Sequence, residues 1–352
     1  MLDSFQAIRI FALTSISFIS TMAWTPALTY FLYKYKMGKQ IRDAGSAPIM
    51  SKLHQNKSGT PTMGGVLIWG TTLVLALVFA NLALLTDHSW VRALDFLSRA
   101  ETLLPLGALV ASALVGLLDD YYNVKKIGPR GGGLRMRHRL TIYTLIAIVG
   151  AWWFYYKLEW DFIHVPFLGN FTVGWWMIPI FIFIIVATSF SVNETDGLDG
   201  LAGGALLTCF GAYSVIAFVQ GKYDLAAFCA VIMGALIAFL WFNINPARFF
   251  MGDTGAMSLG VTLGIVAMLT NSVLLLPIIG FIFVIESLSV IFQITSKKLR
   301  KGKKLFHSTP IHHHFEAMGW PEQKVVMRFW LISVIMGFVG VVLYLIDRTG
   351  AL

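Results

Sequence analysis

The chain has 352 residues, of which 57% are apolar and only 13% charged, and its formal net charge is +9. That composition, with a mean hydropathy of +0.72, excludes an ordinary water-soluble globular domain. Apolar stretches of roughly 17–25 residues recur with no long polar linker between them, which describes a single membrane domain over 1–352.

Ten spans are predicted in chain order, near 6–33, 63–85, 102–119, 140–157, 173–190, 201–219, 225–242, 255–270, 272–296 and 326–346. Only Arg9 precedes the core of the first run, which continues past signal-peptide length without a small-residue cleavage site and so reads as a retained helix. Cys209 and Cys229 fall inside apolar runs, where a reduced thiol acts as a small hydrophobe. Between the fourth and fifth spans, EWDFIHVPFLGNFTV alternates apolar residues with turn formers and predicts a short hairpin on the outer face. Gly131, Gly132 and Gly133 read as a flexible stretch, and no internal repeat of the inverted-transporter kind is evident.

An even number of spans puts both termini on one side. The loops after the odd spans, about 34–62, 120–139, 191–200, 243–254 and 297–325, together with Arg328 just past the last of them, then hold 21 of the 27 lysines and arginines. The positive-inside rule assigns those loops to the cytoplasm and both termini to the outside. The expectation is an all-α polytopic membrane protein with its chemistry on the cytoplasmic face. Adhesion to anionic lipid heads accounts for most of the basic residues taken singly, and nucleic-acid binding has no support.

The acidic residues sharpen that reading. Asp119 and Asp120 close the third span, Asp196 and Asp199 follow the fifth in NETDGLDGLAGG, and Asp253 follows the seventh in NPARFFMGDTG. All five fall on the predicted cytoplasmic side, although the spans are placed by hydrophobicity alone. Asp199, ahead of LAGG, also suits a helix cap, but capping does not explain the set. Adjacent carboxylates can hold Mg²⁺ against a diphosphate, with lysines and arginines covering the remaining phosphoryl oxygens. Lys57 precedes SGTPTMGG, a weak phosphate-loop signal taken alone, and Lys125 and Lys126 follow the Asp pair. His312, His313 and His314 stand in succession, so their side chains diverge and do not suggest one zinc site. Phosphoryl or sugar oxygens are the ligands they suit.

The segments KSGTPTMGG from Lys57 to Gly65, GLLDDYYNVKK, NETDGLDGLAGG, FNINPARFFMGDTG and PIHHHFEAMGWPEQKVVMRFW occur in this order over nearly the whole chain. The set resembles the bacterial phospho-N-acetylmuramoyl-pentapeptide transferases, a glycosyltransferase-4-like branch of the polyprenyl-phosphate N-acetylhexosamine-1-phosphate transferase superfamily. PIHHHFE and GWPE are closer to this branch than to the one that uses UDP-GlcNAc. Glu194 departs from the usual apolar or small residue, Leu117 from the usual aromatic, and GPRGGGLRMRHR carries arginines where lysines are usual.

The resemblance implies transfer of phospho-MurNAc-pentapeptide from UDP-MurNAc-pentapeptide to undecaprenyl phosphate, with Mg²⁺ as cofactor, UMP as by-product and a homodimeric assembly in the membrane lipid of the bacterial inner membrane. It implies Asp253 as the main metal ligand with Asp119 and Asp120 beside it. Asp119 would act on the lipid phosphate, and a covalent route through Asp253 stays open. Asn193, Asp196, Gly197, Leu198 and Asp199 are carried over to the nucleoside pocket, with Phe250 against the uracil. Lys57, Thr62, Lys125, Gln293, His312, His313 and His314 are carried over as substrate contacts. An ion-coupled transporter is the non-enzyme alternative; its acids belong near mid-membrane, whereas these lie at span ends.

Overall fold

A computed structural model describes residues 2–38, 57, 59–128 and 132–350. Of the predicted cytoplasmic loops, Lys39, Arg42, Lys52, Ser58, Arg130 and Gly131 lie outside the described residues. The long helices are α1 (Leu2–Lys34), α2 (Val66–Leu85), α4 (Leu103–Val124) and α5 (Met136–Trp152), with the short α3 (Ser89–Leu94) on the second connection. They continue with α6 (Met177–Thr195), α7 (Leu201–Val219), α8 (Tyr223–Asn243) and α9 (Gly252–Leu269). The chain closes with α10 (Leu276–Ile279), α11 (Phe281–Leu299), α12 (Ile311–Ala317) and α13 (Glu322–Thr349). Runs of this hydropathy form helices in lipid because every backbone N–H and C=O then finds its partner within the segment.

Among the described residues, eight helices are long and apolar enough to cross a membrane, or up to nine if a bent pair counts as one span. The predicted ten therefore exceeds what length and composition support. The span expected over 140–157 falls on α5, which has 17 residues and passes into one π-helical turn, Trp153–Lys157. The span expected over 272–296 is broken rather than straight: Val273–Ile279 and Phe281–Leu299 meet at 82°. Gly280 sits at the corner with non-helical backbone angles, one turn after Pro277, the pairing that most often kinks a helix.

Helix α9 is the hub and packs against α4 and α6. All but one of its residues, Asp253, are buried. Small residues allow the approach: a Cβ on Gly116 of α4 would stand 2.4 Å from the Asp253 carbonyl oxygen, so only glycine lets these helices meet there. The 18 residues of α9 span about 27 Å at 1.5 Å per residue, close to a hydrocarbon core.

The two ends of that hub differ. Beyond its C-terminus lies the hairpin predicted over 158–172, formed by β1 (Phe162–Val165) and β2 (Gly169–Thr172) with Ile163 opposite Phe171. The hairpin is tied down by Asn271, which accepts from the His164 N–H at 2.9 Å, and by Asp347 at the end of α13, which accepts from the Phe167 N–H at 2.6 Å. At the other end, the helices outlast the predicted spans. Asp119 and Asp120 lie inside α4, and Asn193 and Glu194 lie inside α6 rather than in a 191–200 loop. The candidate side chains of the site are thus mounted on helix ends.

Candidate active site

Three helix ends converge where α4 finishes, α6 finishes and α9 begins. Asp120 secures the junction. Its Oδ1 accepts from the Asp253 N–H at 3.1 Å and the Thr62 hydroxyl at 3.1 Å, and its Oδ2 accepts from the Thr254 N–H at 3.0 Å. A carboxylate placed this way satisfies N–H groups that the first helical turn leaves without partners, and it opposes the positive end of the helix dipole. Gly252 belongs to the same arrangement. It has φ +74, and a Cβ there would stand 2.4 Å from Asp120 Oδ2.

Beside this cap lies a cluster of four polar groups. The Arg139 guanidinium at the start of α5 places Nη2 2.7 Å from Asp119 Oδ2 and 2.7 Å from Asp253 Oδ2. Its Nη1 donates to the Asn193 side-chain oxygen at 3.2 Å, and the Asn193 amide donates to Asp253 Oδ1 at 2.6 Å. Asp119 is turned by the Leu134 N–H, which donates to its Oδ1 at 2.5 Å. Two carboxylates thus share one cation, and buried charge is tolerated because each carboxylate also accepts a hydrogen bond.

Among the described residues, no group of three or more His, Cys, Asp or Glu side chains is arranged to hold a metal ion. The three aspartates do not act alike. Both Asp120 oxygens face the start of α9, while Asp119 and Asp253 face a common positive group. Two carboxylates with the balance of ligands from phosphate and water fit the preference of Mg²⁺, so Asp119 and Asp253 would suit that ion once Arg139 Nη2, which lies between them, turns to a phosphoryl oxygen, and Asp120 suits the cap.

A second cluster adjoins the first through continuous chain. Pro61 and Gly64 pair with the backbone of Phe250, and Gly65 pairs with that of Met251, which fixes the segment from Lys57 beside the start of α9. Lys57 Nζ lies 2.7 Å from Asp199 Oδ1 and 2.5 Å from Glu322 Oε1, and 6.0 Å from the Phe250 ring centroid. Asn245 donates to Asp199 Oδ2 at 2.9 Å and to Glu322 Oε2 at 3.2 Å. Asp199 is therefore more than a cap: it is half of a carboxylate cage around a lysine. Asp196 and Gly197 form the turn after α6, and the Leu198 side chain is buried in the apolar core.

The three histidines part company. His312 Nδ1 lies 2.9 Å from Glu286 Oε2 on α11, and His313 Nδ1 lies 2.7 Å from Glu316 Oε2. His314 stacks on His307, with ring centroids 5.1 Å apart. Burial and the neighbouring His307 hold the His314 imidazole below its ordinary pKa.

Two expected contacts make no ion pair or hydrogen bond with the carboxylates of either cluster among the described residues. Gln293 uses its amide on a loop, accepting from the Leu305 and Phe306 N–H groups at 2.8 and 3.0 Å and donating to the Phe306 carbonyl at 2.9 Å. Lys125 is exposed, with its ammonium 5.9 Å from the Tyr121 ring.

Arg139, Glu286, Glu322 and Asn245 belong to the site but are not singled out by the sequence reading. Glu286 carries a signal that could have found it, since it is the one acidic residue in the apolar stretch 272–296.

The profile of glycosyl transferase family 4 matches residues 102–271, which include both members of the Asp119–Asp253 pair. A phospho-N-acetylmuramoyl-pentapeptide-transferase signature matches residues 57–68. The phospho-N-acetylmuramoyl-pentapeptide-transferase of Chloroflexus aggregans is 39% identical over 350 residues, covering 96% of this chain and 90% of the relative. That of Geobacillus thermodenitrificans is 38% identical over 330 residues, covering 93% and 95%. That of Bacillus anthracis is 39% identical over 329 residues, again covering 93% and 95%.

Proposed function

The chain belongs to the phospho-N-acetylmuramoyl-pentapeptide transferase family, and we propose that the cluster of Asp119, Arg139, Asn193 and Asp253 is where it performs that transfer. Phospho-MurNAc-pentapeptide passes from UDP-MurNAc-pentapeptide to undecaprenyl phosphate, giving lipid I and UMP, the first membrane step of peptidoglycan synthesis. The observation that carries this reading is the pair of carboxylates from α4 and α9 sharing one cation at helix ends, 2.7 Å from it on each side. A site at helix ends suits one substrate dissolved in the cytoplasm and another whose phosphate sits at the membrane surface.

An oxygen of the lipid phosphate attacks the sugar-linked phosphorus, the bond to the departing phosphate breaks, and UMP leaves. Asp119, oriented by the Leu134 N–H, positions the lipid phosphate or takes its proton. Asp253 is held for its task by the Asn193 amide and by its place in the first turn of α9. Magnesium held by Asp119 and Asp253 would supply charge neutralisation for the diphosphate. Arg139 offers a planar fork suited to phosphoryl oxygens, and Lys57 adds a second positive charge beside Phe250, whose ring suits the uracil. The turn at Asp196 and Gly197, with Asp199, forms the wall of the nucleoside pocket.

The topology belongs to the same proposal: ten spans with α5 included, both termini outside, a homodimer in the inner membrane, and the carboxylate end facing the cytoplasm. The 21 basic residues on that side support it. The test is UMP release by purified protein with Mg²⁺ and undecaprenyl phosphate. Release with UDP-MurNAc-pentapeptide and not with UDP-GlcNAc is expected. Release with UDP-GlcNAc alone would overturn the donor assignment.

A further inference from the structure

The acidic side chain at the start of α13 stands where an anion would bind. Glu322 Oε1 accepts from Lys57 Nζ at 2.5 Å and from the Asp199 N–H at 2.7 Å. An ammonium beside a backbone N–H is a donor pair suited to a phosphoryl oxygen. The pair lies on the nucleotide side of the site. Lys57 Nζ is 6.0 Å from the Phe250 ring centroid, and the lysine side chain is 18% exposed, so a ligand stacked on that ring can reach it.

Lys57 is held twice over. Asp199 Oδ1 lies 2.7 Å from the same Nζ, so one positive charge faces two carboxylates and the three groups together are negative. The two carboxylates are not equally fixed. The Asp199 side chain is 3% exposed, and its Oδ2 also accepts from the Asn245 amide at 2.9 Å and the Ala247 N–H at 3.2 Å. The Glu322 side chain is 11% exposed and has one more rotatable bond, and its Oε2 accepts from Asn245 at 3.2 Å. Glu322 is thus the carboxylate that can withdraw while Asp199 stays. An acid in the first turn of α13 also complements the helix dipole, but that role needs neither Lys57 nor the Asp199 N–H. A part-buried ion pair with a carboxylate in excess adds little stability either.

We infer that Glu322 sets the preference of this part of the site for a charged nucleotide: its Oε1 occupies Lys57 and the Asp199 N–H until a phosphoryl oxygen of a nucleoside mono- or diphosphate takes both over. The inference rests on the transferase reading and deepens it. Glu322 acts as a competitor built into the site, and a repulsive element of this kind is a general route to specificity. It weakens the hold on phosphate and costs a neutral nucleoside little, so a ligand has to combine its charge with stacking on Phe250 to displace it.

The experiment measures equilibrium binding of UMP and of uridine to the full chain in nanodiscs by calorimetry, for wild type, Glu322→Gln, Lys57→Ala and the double variant. Glu322→Gln is expected to bind UMP about tenfold more tightly, since one like charge beside the phosphate is removed, and to change uridine affinity by about twofold or less. In the Lys57→Ala background the UMP gain is expected to fall to about twofold or less, because no ammonium is left to release. UMP binding in Glu322→Gln that is equal to or weaker than wild type would overturn the inference, as would an equal gain for uridine or a UMP gain undiminished by Lys57→Ala. If Glu322→Gln does not fold, Glu322→Asp draws the carboxylate back from Lys57 by about one bond length. Tighter UMP binding is again expected, and unchanged or weaker binding overturns the inference. These titrations involve no turnover, so failure of the transferase reading, seen as no UMP release from any donor, is distinguishable from failure of this one.

Discussion

Replacing Asp120 with asparagine separates its task from that of Asp119. Asp120 accepts three hydrogen bonds at 3.0–3.1 Å, two of them from N–H groups in the first turn of α9. An asparagine oxygen in place of Oδ1 can still receive Thr62 and the Asp253 N–H, but its NH₂ then points at the Thr254 N–H, donor against donor. Leaving that buried N–H unpaired costs about 1–3 kcal/mol, and losing the negative charge at a helix N-terminus costs about 0.5–2 kcal/mol more. Asp120→Asn should therefore destabilise the protein by about 1.5–5 kcal/mol, with a loss of UMP release that follows from displacing Asp253. Asp119→Asn keeps the Leu134 contact and should lose turnover with a much smaller change in stability. SDS-induced unfolding in mixed micelles, run on both variants beside UMP release, reads the difference. An Asp120→Asn protein as stable as wild type would refute the capping role.

Arg139→Ala leaves Asp119 and Asp253 facing each other without their shared cation, and breaking a buried pair in this way should cost about 3–5 kcal/mol in the same unfolding assay. Arg139→Lys should recover part of that, since one ammonium can bridge the carboxylates but cannot also reach Asn193 in the same fork. Lys57→Ala should raise KM for the nucleotide donor more than it lowers kcat, while Lys57→Ala combined with Glu322→Gln should recover stability without recovering KM; steady-state kinetics and unfolding of both variants check this. Because the folded-state pKa of His312 is raised, its stabilisation is fully present below the ordinary histidine pKa of about 6.5 and is lost as pH rises through the raised value. Unfolding measured against pH should show that alkaline loss in wild type and a flatter profile in Glu286→Gln.

The apolar runs marked the helices well because backbone satisfaction in lipid leaves few alternatives, and the alternation in 158–172 was enough to mark the hairpin. The sequence was a poorer guide to where a helix ends once polar residues begin. Asp119 and Asp120, expected at the close of the third span, lie within α4, and Asn193, expected in a 191–200 loop, lies within α6, because packing on α9 outweighs their low helix propensity. The break at Gly280 was also hidden, since Pro277 and Gly280 lie within an unbroken apolar stretch that hydropathy reads as straight. Among the site residues, aspartates were visible because charge is rare in such a chain. Arg139 was not, because it is one of many arginines and lysines whose first explanation is topology. The partners of Gln293 are likewise legible only in the fold, where its amide meets the backbone at 305 and 306.

UMP release at saturating UDP-MurNAc-pentapeptide and undecaprenyl phosphate, compared among wild type, Asp119→Asn and Asp253→Asn proteins of equal stability, tests the central claim most directly. Removing either carboxylate should lower kcat by about two orders of magnitude or more, the scale on which positioned acid–base and charge-stabilising groups contribute. Turnover in both variants equal to that of wild type would contradict the placement of the reaction between α4 and α9.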